Sequence, residues 1–249
     1  MNDGLRNPGA AFSTLSSAVN LTIFDASADE IPLVRRDMCA AAARDKVAAV
    51  IFSDCDDLVL PDAIDLHLEA LSKADISFGN LYMLAPQLGT GSEELYFSPE
   101  HLPVSVSVGG LDRGNVIGFG NSAVRHEVLT KGPHSFHKNV ALADWFYFRQ
   151  LLQSGYAACQ TTAPVAQYRL MDAGLASIRP RICDEVFNRQ ANLLRTFLEH
   201  QPDRESFSVM IDFLTNLHSV SSAESVLASL PETRGPWFSY FFELCDELT

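Results

Sequence analysis

The chain of 249 residues is 47% hydrophobic, enough for one sizeable core, and its formal charge of −13 excludes broad binding of nucleic acid, which needs clustered Lys and Arg. An anionic ligand would therefore depend on a bound cation or on local arginines. Five scattered cysteines without a C-x-x-C pair exclude a disulfide framework and a zinc ribbon; with no uncharged apolar run long enough to span a bilayer, they predict a soluble protein of the reducing cytoplasm.

In chain order, residues 1–19 read as a loop followed by a weakly amphipathic segment around Phe12, Leu15 and Val19. Asn20 to Phe24 is a short apolar strand ending at Asp25, in a turn whose Ser27 or Asp29 could equally cap a helix. Arg35 to Lys46 carries Met38, Cys39, Ala42 and Ala43 on one helical face and predicts a right-handed crossover. The unbroken run Val47 to Phe52 then predicts a strand buried on both faces, parallel to the first. Asp54, Asp56 and Asp57 follow at its carboxyl end, where open α/β sheets bind ligands. Such close carboxylates repel one another unless a cation or water relieves them, and oxygen-only ligands suit magnesium or manganese. The alternative is a solvated acidic turn that caps the next helix, in which Pro61 and Asp62 lead Ile64, His67, Leu68 and Leu71 at helical spacing.

Beyond that helix, Asp75 to Asn80 predicts a strand, Leu84 to Glu100 a turn-rich excursion, and Pro103 to Val108 a half-exposed strand. Gly109, Gly110, Gly114, Gly118 and Gly120 punctuate the approach to Asn121, but neither a P-loop nor a dinucleotide fingerprint is present. His134 and His137 share a polar loop with no third metal ligand nearby in sequence, so a bland loop is expected there. Asp144 begins a helix with Trp145, Phe148, Leu151 and Leu152 on its apolar face and Gly155 as its stop. A carboxylate at a helix start is a cap by default, and the helix end should hold its pKa low. Tyr156 to Gln167 offers one or two strands. From Pro180 the pattern turns helical, with Phe187, Ala191, Leu194, Phe197 and Leu198 on one face, a second helix near Met210 to Leu217, and an aromatic cluster from Trp237 to Leu244 suited to a core or an oligomer contact.

Four segments match, in order and spacing, one known pattern: LTIFDASADE; VIFSDCDDLVLPDAIDLHLEALSKADISFGN; FGNSAVRHEVLTKGPHSFHKNVALADWFYFRQLLQSGY; and YRLMDAGLAS. Together they resemble the family-2-type glycosyltransferases of the nucleotide-diphospho-sugar transferase superfamily. The first resembles the strand ending in D-D-G-S-x-D, the second the strand ending in D-x-D-D, and the third the segment through the acceptor-side helix, with Ala143 and Asp144 where the family has E-D. The family's first apolar strand has no counterpart before Asn20.

The resemblance implies an α/β, GT-A-like (Rossmann-like) fold, with a mostly parallel central sheet flanked by helices and a helical C-terminal region. Residues 1–178 would be the nucleotide-sugar-binding and catalytic domain and 179–249 a helical extension. The implied activity moves a sugar from a nucleotide-diphosphate sugar to the hydroxyl of a saccharide or other acceptor, with inversion. Asp25 would contact the base, Asp54 the ribose and the metal, Asp56 the metal, and Asp57 and Arg169 further parts of the donor. Mn2+ or Mg2+ would be the cofactor and Asp144 the general base. Homo-oligomerisation would run through the C-terminal helices. The competing expectation is a GT-A-like module that binds a partner without catalysis. A phosphohydrolase also opens on D-x-D, but Asp57 and Leu58 stand where it needs glycine and threonine.

Overall fold

The computed structural model describes residues 30–45, 47–54, 57–84, 94–99, 102–133, 135–169, 184–208 and 211, with backbone only over 184–191. Asn20 to Phe24, the boundary expected at 178, the helix expected at Met210 to Leu217 and the C-terminal aromatic cluster lie outside them, apart from Ile211.

The apolar runs become short strands joined by helices. Helix α1 (Ile31–Ala42) leads into β1 (Ala49–Ile51), and the acidic turn leads through β2 (Leu58–Val59) into α2 (Ala63–Leu71). Strands β3 (Ile76–Phe78) and β4 (Leu81–Leu84) follow, then β5 (Ser105–Val106), α3 (Val108–Leu111), β6 (Ser122–Arg125) and α4 (His126–Lys131). Helix α5 (Ala143–Gln153), β7 (Ala158–Gln160), β8 (Ala166–Arg169) and α6 (Asp184–Glu199) complete the order, with a 3-10 turn at Arg204–Phe207. Among the described residues no helix is long and apolar enough to cross a membrane.

The fold is mixed α/β. Among the described residues its larger sheet has five strands in the order β1-β6-β3-β7-β5, and a smaller one runs β2-β8-β4. In the larger sheet β3 and β7 pair in parallel, Ile76 opposite Ala158, while β6 runs antiparallel to both β1 and β3. Strand β5 is antiparallel to β7. In this α/β sheet β1, β3 and β7 share a direction, and β6 and β5 oppose them. The reversal comes from the glycine-rich segment, which returns the chain between β1 and β3. Strand β1 is only half-buried, although Phe52 just after it is buried.

Burial explains which helix faces form. On α2 the inward set is Ala63, His67, Ala70 and Leu71, one helical stripe, so Ile64 and Leu68 end up 56% and 47% exposed rather than on the packed face. His67 is satisfied inside by Ser77 of β3, Nδ1 to Oγ 2.6 Å, and burial lowers its pKa to about 4. Helix α5 is buried nearly all round, Trp145, Tyr147, Phe148, Arg149 and Leu151 being fully enclosed. Trp145 donates its indole N–H to the Leu111 carbonyl at 2.7 Å and stacks at 4.5 Å on Phe197 of α6. Gly155 just after α5 has φ +91°, the left-handed conformation that ends helices.

Candidate active site

The site forms where β1 ends. Phe52 prolongs the β1–β6 pairing by donating its N–H to the Ser122 carbonyl at 3.0 Å, and the chain then turns, with Asp57 N–H reaching the Asp54 carbonyl at 3.3 Å. The Asp54 Oδ1 is ion-paired to Arg35 of α1, whose guanidinium also lies 5.0 Å from the centre of the Phe119 ring. Asp57 Oδ1 accepts the backbone N–H of Arg169 at 3.0 Å, tying the acidic turn to the end of β8. The other oxygens of both carboxylates converge on Gly120: a Cβ added there would lie 3.0 Å from Asp57 Oδ2 and 3.2 Å from Asp54 Oδ2. Glycine leaves that cradle open.

Two residues earlier, a Cβ on Gly118 would meet Asp144 Oδ2 at 3.2 Å. The segment Gly118, Phe119, Gly120 therefore forms a spine between the acidic turn and the start of α5. Asn121 and Ser122 hold it rigid. Asn121 takes the Gly118 N–H on Oδ1 at 2.7 Å and donates Nδ2 to the Gly79 carbonyl at 2.7 Å and the Val116 carbonyl at 3.1 Å; Ser122 donates to the Gly118 carbonyl at 2.6 Å.

Asp144 is the second residue of α5 and accepts the Trp145 N–H at 2.7 Å. Loss of water around its carboxyl pushes the pKa up; the Asp54 charge adds to this, while the Trp145 amide, Arg35 and a side-chain hydrogen bond from Asn115 work against it. The expectation that the helix start holds Asp144 low is thereby corrected, because desolvation outweighs the helix end. Arg35, Asp54, Asn115, Gly118, Gly120 and Asp144 line the polar side of a cavity of about 320 Å3. Tyr96, Phe97, Val116, Leu142, Tyr168 and the α6 residue Leu193 contribute its apolar wall.

Of the residues singled out in the sequence, Asp54 and Asp144 thus share the cavity, Asp57 sits beside Asp54 at Gly120, and Arg169 meets Asp57 through its backbone. Asp25, Asp56 and His134 lie outside the described residues. His137 lies against His200 instead, ring centres 3.9 Å apart and planes tilted by 42°, and its pKa is lowered by desolvation and then by that neighbour. Among the described residues no three His, Cys, Asp or Glu side chains gather as a metal cluster. Asp57 Oδ2 and Asp54 Oδ2 press on Gly120 from the acidic turn, and carboxylate oxygens are the ligand type that magnesium and manganese take, with water and phosphate completing the shell. Arg35 and Asn115 were missed in the sequence. The signals available were the adjacent pair Arg35 and Arg36 at the start of a predicted helix and the glycine punctuation around residues 114–120.

No family model matches this sequence, and no curated protein matches it. Among solved structures, the chain is similar to the crystal structure of S. aureus TarS residues 1–349 in complex with UDP-GlcNAc, with a TM-score of 0.46 and 10% identity over 92% of this chain. The chain spans 66% of the length of that structure.

Proposed function

We propose that the cavity is the active site of a metal-assisted, inverting glycosyltransferase that moves a sugar from a nucleotide-diphosphate sugar to an acceptor hydroxyl. The observation that carries this reading is the division of labour along one rigid spine: Asp54 and Asp57 meet at Gly120, and a carboxylate with raised proton affinity, Asp144, meets Gly118. Asp54 and Asp57 would hold Mn2+ or Mg2+ at the cradle, and when bound the ion supplies charge neutralisation for a diphosphate. Arg35 lies on the same side and can neutralise phosphate charge as well.

Asp144 acts as the base. As the acceptor oxygen forms its bond to the anomeric carbon, the bond from that carbon to the diphosphate oxygen breaks on the opposite face. The electron pair leaves with the nucleoside diphosphate, and the hydroxyl proton passes to Asp144. Burial makes Asp144 a stronger base than an exposed aspartate, at the cost of a smaller ionised fraction at low pH.

A second reading, a binding module without turnover, is favoured by the Arg35–Asp54 pair, which neutralises Asp54 with no metal ion required. Thermal-shift and calorimetric titration with a panel of nucleoside-diphosphate sugars, with and without Mn2+, tests the first. Stabilisation by a donor that depends on Mn2+, and that Gly120→Ala abolishes, is the expected result, since a ligand bound only by the native state raises its stability. No stabilisation by any donor would overturn it, and binding without transfer to any acceptor would favour the second reading.

A further inference from the structure

The guanidinium of Arg35 lies between three different surfaces. Nη2 is ion-paired to Asp54 Oδ1, Nη1 is 3.8 Å from the Met38 sulfur, and the central carbon stands 5.0 Å from the middle of the Phe119 ring. The first is a charge-assisted hydrogen bond, whereas sulfur is a weak acceptor and a ring face is a diffuse attraction for a cation. Among the described residues Asp54 is the one carboxylate paired with Arg35.

The ring is the fixed side of this arrangement. Phe119 is buried and belongs to the spine that Asn121 and Ser122 hold rigid. Phe52 packs perpendicular to it, ring centres 4.8 Å apart, and Tyr147 stacks on it at 5.8 Å. The ion pair is the yielding side. Both of its side chains are part-exposed, so water reaches the pair and screens it. An arginine that let go of Asp54 would still have the ring beside it, at the cavity that Arg35 and Asp54 both line.

While paired, each group masks the other. The guanidinium commits to Asp54 a donor that a phosphate could take, and the Asp54 carboxylate repels that phosphate. We propose that Arg35 is an anion-binding group held in reserve by Asp54, and that Asp54, once its charge is taken up by a divalent cation, releases the guanidinium to a phosphate oxygen of the bound diphosphate. This rests on the transferase reading for the identity of the anion and deepens it. A cation at Asp54 and a diphosphate at Arg35 need the same pair broken, so each favours the binding of the other.

The test is a double-mutant cycle on the full chain: wild type, Asp54→Asn, Arg35→Met and the two together, each checked for folding by thermal melting. The probe is inorganic pyrophosphate, the group common to nucleoside diphosphates, titrated calorimetrically in EDTA so that no metal contributes. Asp54→Asn should bind pyrophosphate more tightly than wild type, because the arginine is freed and a repelling charge is gone. In the Arg35→Met background the same substitution removes only the repulsion. Its gain there should be smaller by about two- to fivefold, the worth of a screened ion pair. Equal gains in the two backgrounds, or pyrophosphate binding to none of the four proteins, overturn the proposal. The cycle involves neither sugar nor acceptor, so its failure is distinct from that of the transferase reading. A chain that passes it yet glycosylates no acceptor sinks the transferase reading alone, and one that transfers sugar but shows equal gains sinks the reserve role of Arg35 alone.

Discussion

Two arginines in this molecule sit against aspartates and aromatic rings, and they do opposite things. Arg149, in the middle of α5, is fully buried and saturated: Asp112 lies 2.6 Å from Nε, Asp203 2.7 Å from Nη2, and Gln201 and Ser206 take further N–H groups at 3.1 Å each. The Phe207 ring covers it at 4.6 Å. Among the described residues Arg35 has one carboxylate, Asp54, with the Met38 sulfur and the Phe119 ring beside it, and its side chain stays 20% exposed at the cavity. A buried guanidinium with every donor occupied has nothing left for a ligand and serves to fasten the 3-10 turn and α5 to the loop after α3. An arginine with donors to spare at a cavity mouth can exchange partners. The difference lies in how many acceptors surround the cation, not in the ion pair itself.

The largest expected effect tests the cavity side. Asp144→Asn should keep the fold and donor affinity yet lower turnover by about two to four orders of magnitude, the range for losing a positioned general base. Steady-state transfer assays with a donor identified by thermal shift measure this, and near-normal transfer would reduce Asp144 to a residue that orders the helix start. Next comes the structural side. Removing Arg149 as Arg149→Met strands Asp112 and Asp203 without their cation and should cost about 3 to 5 kcal/mol in urea unfolding. A loss below about 1 kcal/mol would mean that the cluster fastens nothing.

A subtler contrast lies in pH. Arg149 holds the Asp203 pKa below the usual carboxylate range, chiefly through its hydrogen bond, whereas burial raises that of Asp144. For Asp203 the unfolded chain binds the proton first as pH falls, so its contribution is present above the ordinary aspartate range, near pH 3.9, and is lost on acidification through the folded value. For Asp144 the folded state keeps the proton longer, so its contribution is full below that range and is lost as pH rises through its raised folded value. Stability curves of Asp203→Asn and Asp144→Asn should therefore depart from wild type in opposite senses: the first loses stability at neutral pH, and the second gains a little there. Curves that bend the same way would deny that the two carboxylates differ.

Much of this was legible in the sequence because it depends on local pattern. Apolar runs located β1 and β3, apolar–polar alternation located β5, helical spacing located α5, and the placement of Asp54 and Asp57 after a strand followed from the run that precedes them. What could not be read depends on distant pairing. The insertion of β6 between β1 and β3 joins segments more than seventy residues apart, Ala49 to Arg125 and Ile51 to Ala123, and nothing local to either announces it. The role of Arg149 has no local signal, because its partners, Asp112 and Asp203, lie 37 and 54 residues away. Ile64 and Leu68 looked like core because spacing gives a stripe but not which stripe faces inward. The glycines at 118 and 120 were visible as punctuation, but their use as clearances for three carboxylates appears only once the chain is folded.

The smallest effect on stability is expected at Arg35, and it sharpens the comparison most. Its pair with Asp54 is part-exposed, 20% and 31% for the two side chains, so water screens it and its loss should cost only about 0 to 1 kcal/mol, well short of the Arg149 cluster. Arg35→Met keeps much of the aliphatic length that packs beside Met38 and Phe119 while removing the charge. If Arg35 is the exchangeable cation, the same variant should bind a nucleoside diphosphate clearly more weakly by calorimetry, because charge-assisted hydrogen bonds to phosphate are lost. A structural arginine gives the reverse pattern, a large loss of stability with unchanged ligand affinity. Should Arg35→Met unfold as readily as Arg149→Met and still bind the diphosphate like wild type, the two clusters would be of one kind, and the cavity would have lost its cation.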